Sequence, residues 1–408
     1  MKQGWEIKQL GNVCGFQNGF AFKSKTFKDN GVPVLRISNI QNDEIDLNKI
    51  VFIDPSDYKE DLSKYKVEKN DLLIAMSGAT TGKIGFNQTD DIFYLNQRVG
   101  KFEPTKDLDK SYLYYYLSTK VEESLKISAG SAQPNLSTQQ IKSFELPIPP
   151  LDEQKRIVAK LDECFEAITK ARANVEKNLN NAKELFQSQL NQIFSQPALS
   201  EAEGKGNGWA DKRIEEMTEN VSKGSSPKWQ GINYVENDGI LFITSENVGE
   251  AELLLHKKKY VEKKFNDKEK KSILKKGDVL TNIVGASIGR TAIYDIDDIA
   301  NINQAVCVIR CNENVLNNYY LMYLLNSPFF KTILHENEVN NARANLSLTF
   351  FRNLIIPIPN TTEQQSIVEF IIDLKSQTQA LESNYQQELA ALDELKKSIL
   401  QKAFMGEL

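Results

Sequence analysis

The chain has 408 residues, a formal net charge of −5 and four cysteines, which allow two or three folded domains and argue against a disulfide-rich secreted protein. Its start does not resemble a signal peptide and no apolar run approaches the about 18 residues that span a bilayer, so we expect a reduced, cytoplasmic protein. The acidic excess lies outside residues 1–150 and 207–358, which each carry 19 basic and 19 acidic residues.

Internal repetition is the main organising feature of the chain. Segments of the first half return in the second half at a nearly constant offset, which indicates two copies of one structural unit. The clearest pairs are "VPVLRISNI" (32–40) with "GILFITSENV" (239–248), "KNDLLIAMSGATTGKIG" (69–85) with "KGDVLTNIVGASIGRTA" (276–292), "PNLS" (134–137) with "ANLS" (344–347), and "LPIPPLDEQKRIVAKLDE" (146–163) with "IPIPNTTEQQSIVEFIID" (356–373).

Each half predicts the same order of elements. A strand-rich block with turns at Gly, Asn and Asp is followed by a Pro-x-Pro stop and then by a long helix. Asp152, or Thr361 and Thr362, are the predicted N-caps of the two helices, and a glutamate follows in each first turn. The predicted division is a first domain at 1–150, a central helix at 151–196, a linker at 197–207, a second domain at 208–359, and a C-terminal helix with its tail at 360–408.

Both predicted helices carry a heptad stripe. Apolar residues recur at alternating steps of four and three over about five heptads, a pattern typical of coiled coils. We take the following residues as the spacer-helix and subunit-interface positions: Leu161, Phe165, Ile168, Leu179, Phe186, Ile371, Leu374, Leu381, Leu392 and Ile399. In the second stripe, Glu388 and Leu395 fall on the same alternation.

A helix of about five heptads needs a partner along its whole apolar stripe. We therefore expect the two helices to pair with each other in antiparallel orientation, because they belong to two copies of one repeat; the alternative is that each packs only on its own domain. The expected fold is α+β, with two pseudo-repeated α/β domains separated by two long antiparallel coiled-coil helices.

Two glycine-rich turns carry a cation at equivalent places. "SGATTGKIG" (77–85) resembles a phosphate-binding loop, but only three residues separate Gly78 from Gly82 and no helix-forming sequence follows, so a nucleotide site is not expected. One interpretation is a hairpin whose glycines take positive φ. The other is a DNA contact, in which Thr80, Thr81 and Lys83, with Ser287 and Arg290 of the second copy, face phosphate.

Basic segments add a second set of candidate DNA-binding residues. Residues 256–276 hold ten lysines against three acids, with Tyr260 and Phe265 between them. A lysine run is often only a solvated surface, but a polyanion would relieve the self-repulsion of one this dense. Phe22 and Phe27 stand among the lysines of a weaker segment, 22–30. The basic candidates are Lys23, Lys25, Lys28, Lys257, Lys258, Lys259, Lys263 and Lys264, together with Arg343.

Residues suited to catalysis or metal binding are scarce. The chain has two histidines, and Cys307 and Cys311 in "AVCVIRC" lack a second ligand pair with metal-site spacing. No catalytic triad and no spaced carboxylate pair stands out. We predict neither a catalytic residue nor a metal site in this chain.

The chain resembles one family over essentially its whole length, the specificity (S) subunits of type I restriction-modification enzymes. The resemblance rests on "GFAFKSKTFKDNGVPVLRISNI", on the Pro-x-Pro-(x)₃-Glu-Gln junction in "LPIPPLDEQKRIVAKLDE" and on "LKKSILQKAFMGEL" (395–408). The second junction, "PIPNTTEQQ", lacks the second proline of "PIPP" and the leucine of "PPL", but keeps Pro-x-Pro and Glu-Gln. We expect the same turn and helix start there.

The resemblance implies a non-catalytic subunit that recognises a split, asymmetric DNA site. It implies two target-recognition domains, each reading one half-site of double-stranded DNA. Two methyltransferase (M) subunits would assemble on the spacer helices, and restriction (R) subunits would join the full complex. S-adenosylmethionine, ATP and Mg²⁺ would belong to those partners, with no cofactor in this chain and no membrane association.

Two other functions fit the same sequence less well. A coiled-coil scaffold could join two protein-binding modules without reading DNA, and it would show no salt-dependent affinity for DNA. A self-contained enzyme would need to bind a cofactor by itself, which the sequence does not suggest.

Overall fold

The computed structural model describes residues 4–41, 44–120, 135–202, 208–236, 238–338 and 344–408, without the side chains of residues 196–202. These residues divide into two compact units. Unit 1 comprises Met1–Val175 and Gln387–Leu408, and unit 2 comprises Glu176–Gln386. The predicted α+β fold class is confirmed, and each unit is described by itself below.

Unit 1 contains three sheets within its described residues. The first pairs β1 with β10; the second is antiparallel and has the order β2-β9-β6-β7; the third has the order β4-β3-β8-β5, with β3 and β8 parallel. The strands are β1 (Glu6–Gln9), β2 (Cys14–Asn18), β3 (Val32–Leu35), β4 (Val51–Ile53), β5 (Lys66–Val67), β6 (Leu72–Ala75), β7 (Ile84–Phe86), β8 (Phe93–Leu95), β9 (Val99–Pro104) and β10 (Glu145–Ile148).

Unit 2 repeats this arrangement except for the edge strands of its third sheet. It pairs β11 with β20 and forms one sheet in the order β12-β19-β16-β17 and another in the order β13-β15-β14-β18, with β14 and β18 parallel. The strands are β11 (Ala210–Arg213), β12 (Thr218–Lys223), β13 (Tyr234–Val235), β14 (Ile240–Ile243), β15 (Tyr260–Val261), β16 (Val279–Asn282), β17 (Thr291–Ile293), β18 (Ala300–Ile302), β19 (Val306–Cys311) and β20 (Ile355–Ile358).

Short helices complete the units and two long ones follow the Pro-x-Pro segments. The short helices are α1 (Lys110–Thr119), α2 (Thr138–Lys142), α4 (Lys264–Lys268), α5 (Asn318–Asn326), α6 (Pro328–Glu336) and α7 (Leu348–Asn353). The long helices are α3 (Leu151–Ala202) and α8 (Thr361–Met405). No helix in the part of the chain that the structure describes is both long and apolar enough to cross a membrane.

A central strand of each repeat is buried on both faces: β6 is a continuous apolar run, whereas β16 buries Thr281 and Asn282 together with two apolar residues. In β6, Leu72 and Ile74 pack in the core beneath α1, while Leu73 and Ala75 enter the core shared with the second four-stranded sheet. Because side chains alternate along a strand, one strand supplies both cores. The strand β16 of unit 2 is fully buried in the same way.

The predicted helix boundaries need two corrections. α3 continues through residue 197 to Ala202, so six residues of the predicted linker are helical; "ALSEA" after the proline is rich in helix-forming residues. The predicted caps were also wrong, because α3 begins at Leu151 and α8 at Thr361, so each cap position lies one residue before the helix start. Asn360 caps α8 by accepting the Glu363 amide at 3.0 Å, and the Pro150 carbonyl accepts the Glu153 amide at 2.9 Å at the start of α3.

The glutamine of each Pro-x-Pro-(x)₃-Glu-Gln junction joins the long helix to the loop that precedes α1 or α5. Gln154 is fully buried. Its Oε1 accepts the Asp109 amide at 2.8 Å, and its Nε2 donates to the carbonyls of Asp107 at 2.9 Å and Pro149 at 2.8 Å. All three bonds lie within unit 1 and fix where α3 leaves the domain.

The second junction repeats this network within unit 2. Gln364 is fully buried and accepts the Asn317 amide at 2.8 Å. Its Nε2 donates to the carbonyls of Val315 and Pro359, both at 2.9 Å. The expectation that "PIPNTTEQQ" makes the same turn and helix start as the first junction is confirmed.

Within unit 1 the two long helices run antiparallel. The N-terminal part of α3 meets the C-terminal part of α8: Arg156 donates to the Leu408 carbonyl at 2.6 Å, and Arg172 pairs with Asp393. Between them, the Lys396 ammonium lies 5.1 Å from the centre of the Phe165 ring. The predicted antiparallel pairing therefore holds for this unit.

The predicted stripe is correct for α3 and partly wrong for α8. Leu161, Phe165, Ile168, Leu179 and Phe186 are buried or half-buried. Ile371 is buried and Leu374, Leu392 and Ile399 are half-buried. Leu381 and Leu395, however, are 39% and 47% exposed.

The α8 stripe moves by one residue after Thr378. Glu382 and Leu389 are half-buried, and Glu388 is exposed. The buried face thus takes two successive steps of four residues, Leu374 to Thr378 to Glu382, before the alternation resumes. Such a shift is the stutter of interrupted heptads, which locally unwinds a coiled coil.

Candidate nucleic-acid interface

The glycine-rich turns are hairpins in both units. Gly78 and Gly82 have φ of 77° and 85° between β6 and β7, and Gly285 and Gly289 have 80° and 85° between β16 and β17. A strand rather than a helix follows each turn. The hairpin interpretation is confirmed, and the helix N-terminus that would cradle a nucleotide phosphate does not follow either turn.

The repeated "NLS" motifs hold these turns in place. In unit 1, the Leu136 amide donates to the Met76 carbonyl at 2.7 Å; in unit 2, the Leu346 amide donates to the Ile283 carbonyl at 2.9 Å. The serine that follows each leucine caps the next short helix, α2 or α7. Each turn is therefore fixed from the side by a segment about 60 residues later in the chain.

The hydroxyl groups proposed for the first turn have partners inside unit 1. Thr80 Oγ1 donates to the Ile37 carbonyl at 2.9 Å, and the buried Thr81 donates to the Gly78 carbonyl at 2.6 Å. Lys83 is half-buried and its Nζ donates to Gln41 Oε1 at 2.8 Å. These contacts give all three side chains a structural role in the turn.

The second turn presents its cation more openly. The Arg290 side chain is exposed, and no hydrogen bond or ion pair of its guanidinium is found among the described residues. Ser287 Oγ accepts from Asn282 Nδ2 at 3.2 Å. Arg343, the remaining arginine among the candidates, lies outside the described residues.

The sequence reasoning missed one cation beside the first turn. Arg98 is exposed and its Nη1 donates to Asn135 Oδ1 at 3.1 Å, next to the bridge that Asn135 makes with Ser77. Arg98 stands in "NQRV" (96–99), which the second half repeats as "NQAV" (303–306). The available signal for this cation was an arginine in the first copy at the position where the second copy has alanine.

The lysines of the 22–30 segment fall into two groups. Lys23 and Lys25 are both exposed; Lys23 precedes the 3₁₀ turn Ser24–Thr26 and Lys25 lies within it. Lys28 instead pairs with Asp57 at 2.9 Å and with Asp54 at 3.4 Å. The hydrogen bond to Asp57 raises the pKa of Lys28, so this charge is compensated within the unit.

The lysines of the 256–276 segment are also partly compensated. Within the structurally described residues, Lys257 and Lys258 are exposed, and neither ammonium lies within ion-pair distance of a carboxylate. Three other candidates form exposed ion pairs, which contribute little to stability and exchange readily for other anions. These pairs are Lys259 with Glu246 at 3.0 Å, Lys263 with Asp238 at 2.6 Å, and Lys264 with Glu262 at 3.0 Å.

Two of the aromatic residues between these lysines pack inward, contrary to expectation. Phe22 is buried, with its ring centre 5.0 Å from that of Phe20 and 5.3 Å from that of Tyr58. Phe265 is buried against Phe242 at 5.3 Å. They belong to small aromatic cores, because the strands and turns that carry the lysines need an apolar underside.

The exposed aromatic residues lie elsewhere in unit 2. Trp229, in the 3₁₀ turn Pro227–Gln230, is 76% exposed, and Tyr234 of β13 is 57% exposed. The sequence signal was a tryptophan in the polar loop "SSPKWQG", directly after Lys228.

Comparison with known proteins identifies the family. The family model described as "Type I restriction modification DNA specificity domain" matches residues 2–177 and again 206–391. The chain is 27% identical over 425 aligned residues to the type I restriction enzyme EcoBI specificity subunit of Escherichia coli, covering 99% of this chain and 86% of that protein. It is 23% identical to the EcoKI specificity subunit of Escherichia coli K12, covering 100% and 90%.

Solved structures share the fold. One, described as the structural basis of complex assembly and conformational transition of the type I R-M system, has a TM-score of 0.74 at 21% identity and covers 100% of this chain and 99% of that chain. The HsdS subunit of Thermoanaerobacter tengcongensis has a TM-score of 0.62 at 19% identity and covers 100% and 98%. With one family domain in each half, this chain belongs to the type I restriction-modification DNA specificity family.

Proposed function

We propose that this chain is the DNA-recognition subunit of a type I restriction-modification complex and performs no catalysis itself. The two copies of the specificity domain carry the proposal, because they share one sheet framework while their exposed turns differ. The turn after β2 presents Lys23 and Lys25, whereas the corresponding turn after β12 presents Lys228 and Trp229. Two different reading surfaces on one framework fit a split, asymmetric site.

Each unit would read one half-site through its own set of side chains. Exposed cations would bind phosphates and set the position of the unit on the duplex, and polar or aromatic side chains would contact bases. We assign phosphate contacts to Lys23, Lys25, Arg290, Lys257 and Lys258. Lys83, Thr80, Thr81 and Ser287 would act by holding the turns, and Lys28, Lys259, Lys263 and Lys264 would reach DNA only by exchanging their carboxylate partners for phosphates.

The long helices would set the length of the unread gap between the half-sites and would carry the partner subunits. The exposed leucines of α8, Leu381 and Leu395, are candidates for contact with two methyltransferase subunits, and restriction subunits would join the full complex. S-adenosylmethionine, ATP and Mg²⁺ would be bound by those subunits, in the cytoplasm where the chromosome lies.

A paired insertion in the helices tests this function. One heptad is added to α3 after Val175 and one to α8 after Gln386, where each helix passes from one unit to the other. Seven residues lengthen a helix by about 10 Å, or about three base pairs of DNA. The complex with its methyltransferase subunits should then methylate the same half-sites across a gap about three base pairs longer.

Sequencing of methylated bases in cells that carry the variant gives the readout. A heptad added to α3 alone is the matched control, since it breaks the pairing of the two helices and should abolish methylation. Changed half-sites in the paired variant would contradict the assigned roles of units and helices. If the unaltered complex neither methylates DNA nor binds it with salt-dependent affinity, the scaffold function would replace this one.

A further inference from the structure

Trp229 is the most exposed of the large apolar side chains in the described residues, at 76%. The other two tryptophans are used inside the fold. Trp5 is 8% exposed, and Trp209 donates its indole N–H to Glu363 at 2.8 Å. An exposed indole loses the free energy that burial of its large apolar surface would provide, so its exposure points to a binding role.

The turn that carries Trp229 is held firmly. Gln230 Nε2 donates to Glu269 Oε1 at 2.7 Å, and its carbonyl accepts the Lys268 ammonium at 2.7 Å. Gly224, just before the turn, passes so close to the backbone that a Cβ there would lie 1.7 Å from the Ile302 carbonyl oxygen. The indole is therefore presented by a fixed element rather than by a loose loop.

A second exposed aromatic residue, five positions after Trp229 in the chain, lies beside cations of unit 2. Tyr234 of β13 pairs in register with Val261 of β15, which directly follows the lysines at 257–259. A shallow cavity of about 530 Å³ is lined by Tyr234, Tyr260, Lys258 and Lys259, with Val235 and Glu236. Aromatic faces next to ammonium groups match a partner that offers both flat bases and phosphates.

Unit 1 is built differently at the same place. Its turn carries Lys23 and Lys25, and instead of a strand like β13 it has a single bridge between Lys28 and Phe52. Phe20 and Phe22 pack in an aromatic core. Among the residues that the structure describes, unit 1 has no counterpart of the exposed aromatic pair, as expected of a feature that distinguishes one half-site from the other.

We propose that Trp229 is a specificity-determining residue that stacks its indole on a base at an opened base step in the half-site read by unit 2. Tyr234 supports it, and Lys228, Lys257 and Lys258 bind the flanking phosphates. An apolar side chain that enters a base step kinks the duplex at a cost that depends on the step, so this contact selects for easily opened sequence. The inference rests on the proposed function and deepens it.

The test uses the chain assembled with its methyltransferase subunits and a labelled duplex that carries the site found by sequencing methylated bases. Trp229→Ala should weaken binding about 10- to 100-fold, the range of losing one aromatic–base stack, and Trp229→Phe should recover part of the loss. 2-Aminopurine placed along the unit 2 half-site should brighten at one step with the unaltered complex and not with Trp229→Ala. Tyr319→Ala, which removes a 39% exposed aromatic residue of α5, is the control and should bind normally.

Each contrary result has a distinct meaning. Unchanged affinity and an unchanged 2-aminopurine signal in Trp229→Ala would overturn the inference while leaving the proposed function intact. Failure of Trp229→Ala to assemble with the methyltransferase subunits, with a normal circular dichroism spectrum, would make Trp229 part of a protein interface and would also overturn it. If the unaltered complex selects no duplex, the proposed function fails first.

Discussion

Replacing Gln154 by leucine removes the side chain that joins α3 to the loop before α1. The substitution keeps the approximate volume and deletes three hydrogen bonds, to the Asp109 amide and to the carbonyls of Asp107 and Pro149. At about 1 kcal/mol net for each bond, the loss is about 3 kcal/mol. Leucine recovers part of it through apolar burial, so we expect unit 1 to lose about 2–3 kcal/mol of local stability.

Hydrogen–deuterium exchange of the intact chain, read by mass spectrometry, measures this loss in the right place. A decrease of 2–3 kcal/mol in opening free energy corresponds to about 30- to 150-fold faster exchange. The peptide that contains the Asp109 amide should show this acceleration. The peptide that contains the Asn317 amide, which Gln364 holds in unit 2, should be unchanged in the same sample.

The second junction supplies the reciprocal experiment. Gln364→Leu should accelerate exchange at Asn317 and leave Asp109 protected, and Gln379→Leu on the exposed face of α8 should change neither. Exchange at Asp109 that stays at its original rate in Gln154→Leu would refute the reasoning, because the three bonds would then contribute nothing. Equal acceleration in both units would show that the junction does not act locally.

Three further predictions concern buried groups. In unit 2, the Arg310 guanidinium donates two hydrogen bonds, of 2.8 and 2.7 Å, to the carboxylate of the buried Asp278. Arg310→Ala should lower the free energy of unfolding in urea by about 3–5 kcal/mol, and Arg310→Lys should lower it clearly less. Equal losses in the two variants would exclude a role for the forked geometry of the guanidinium. Burial raises the pKa of three thiols to about 12. A thiol reagent at pH 8 should therefore modify only the half-buried Cys164 in the native chain and all four cysteines after unfolding. Rapid labelling of a second thiol in the native chain would contradict the packing. Because the folded pKa of these thiols lies above the unfolded one, the free energy of unfolding should also fall as the pH rises from about 9 to about 12. The three thiols are those of Cys14, Cys307 and Cys311.

Features that depend on local periodicity could be read from the sequence. The long helices and the glycine hairpins follow from patterns within a few residues, and the repeat follows from comparison of the two halves of the sequence. The α8 stripe shows the limit of predicting from periodicity. Steps of three and of four residues both keep to one helix face, and the leucine at 381 favoured a step of three after Thr378 where the structure has a step of four. Packing selects Glu382 and Leu389, and the exposed leucines are left for other contacts.

The candidate site was less predictable, because its residues are defined by what lies beneath and beside them. Lysines at 28, 259 and 263 look alike in sequence, yet each has an acid within reach that comes from a distant strand or turn. Phe22 and Phe265 alternate with lysines in the sequence, but the aromatic cores that bury them involve residues 20 to 40 positions away. The glutamines of the junction motif were visible as a motif, while their role depends on a loop about 45 residues earlier.

The make-up of unit 1 from both ends of the chain has a consequence for synthesis. The ribosome makes Met1–Val175 first, but Gln387–Leu408, which completes the unit, only after all of unit 2. Unit 2 can therefore fold as a continuous segment while unit 1 is still incomplete. Until then Tyr112 and Tyr116 lack the Phe404 ring, whose centre lies 5.2 and 5.5 Å from their ring centres in the finished unit. The first unit to emerge is the last to be finished, so a nascent chain halted near residue 386 would hold one complete recognition unit and one with an open apolar side.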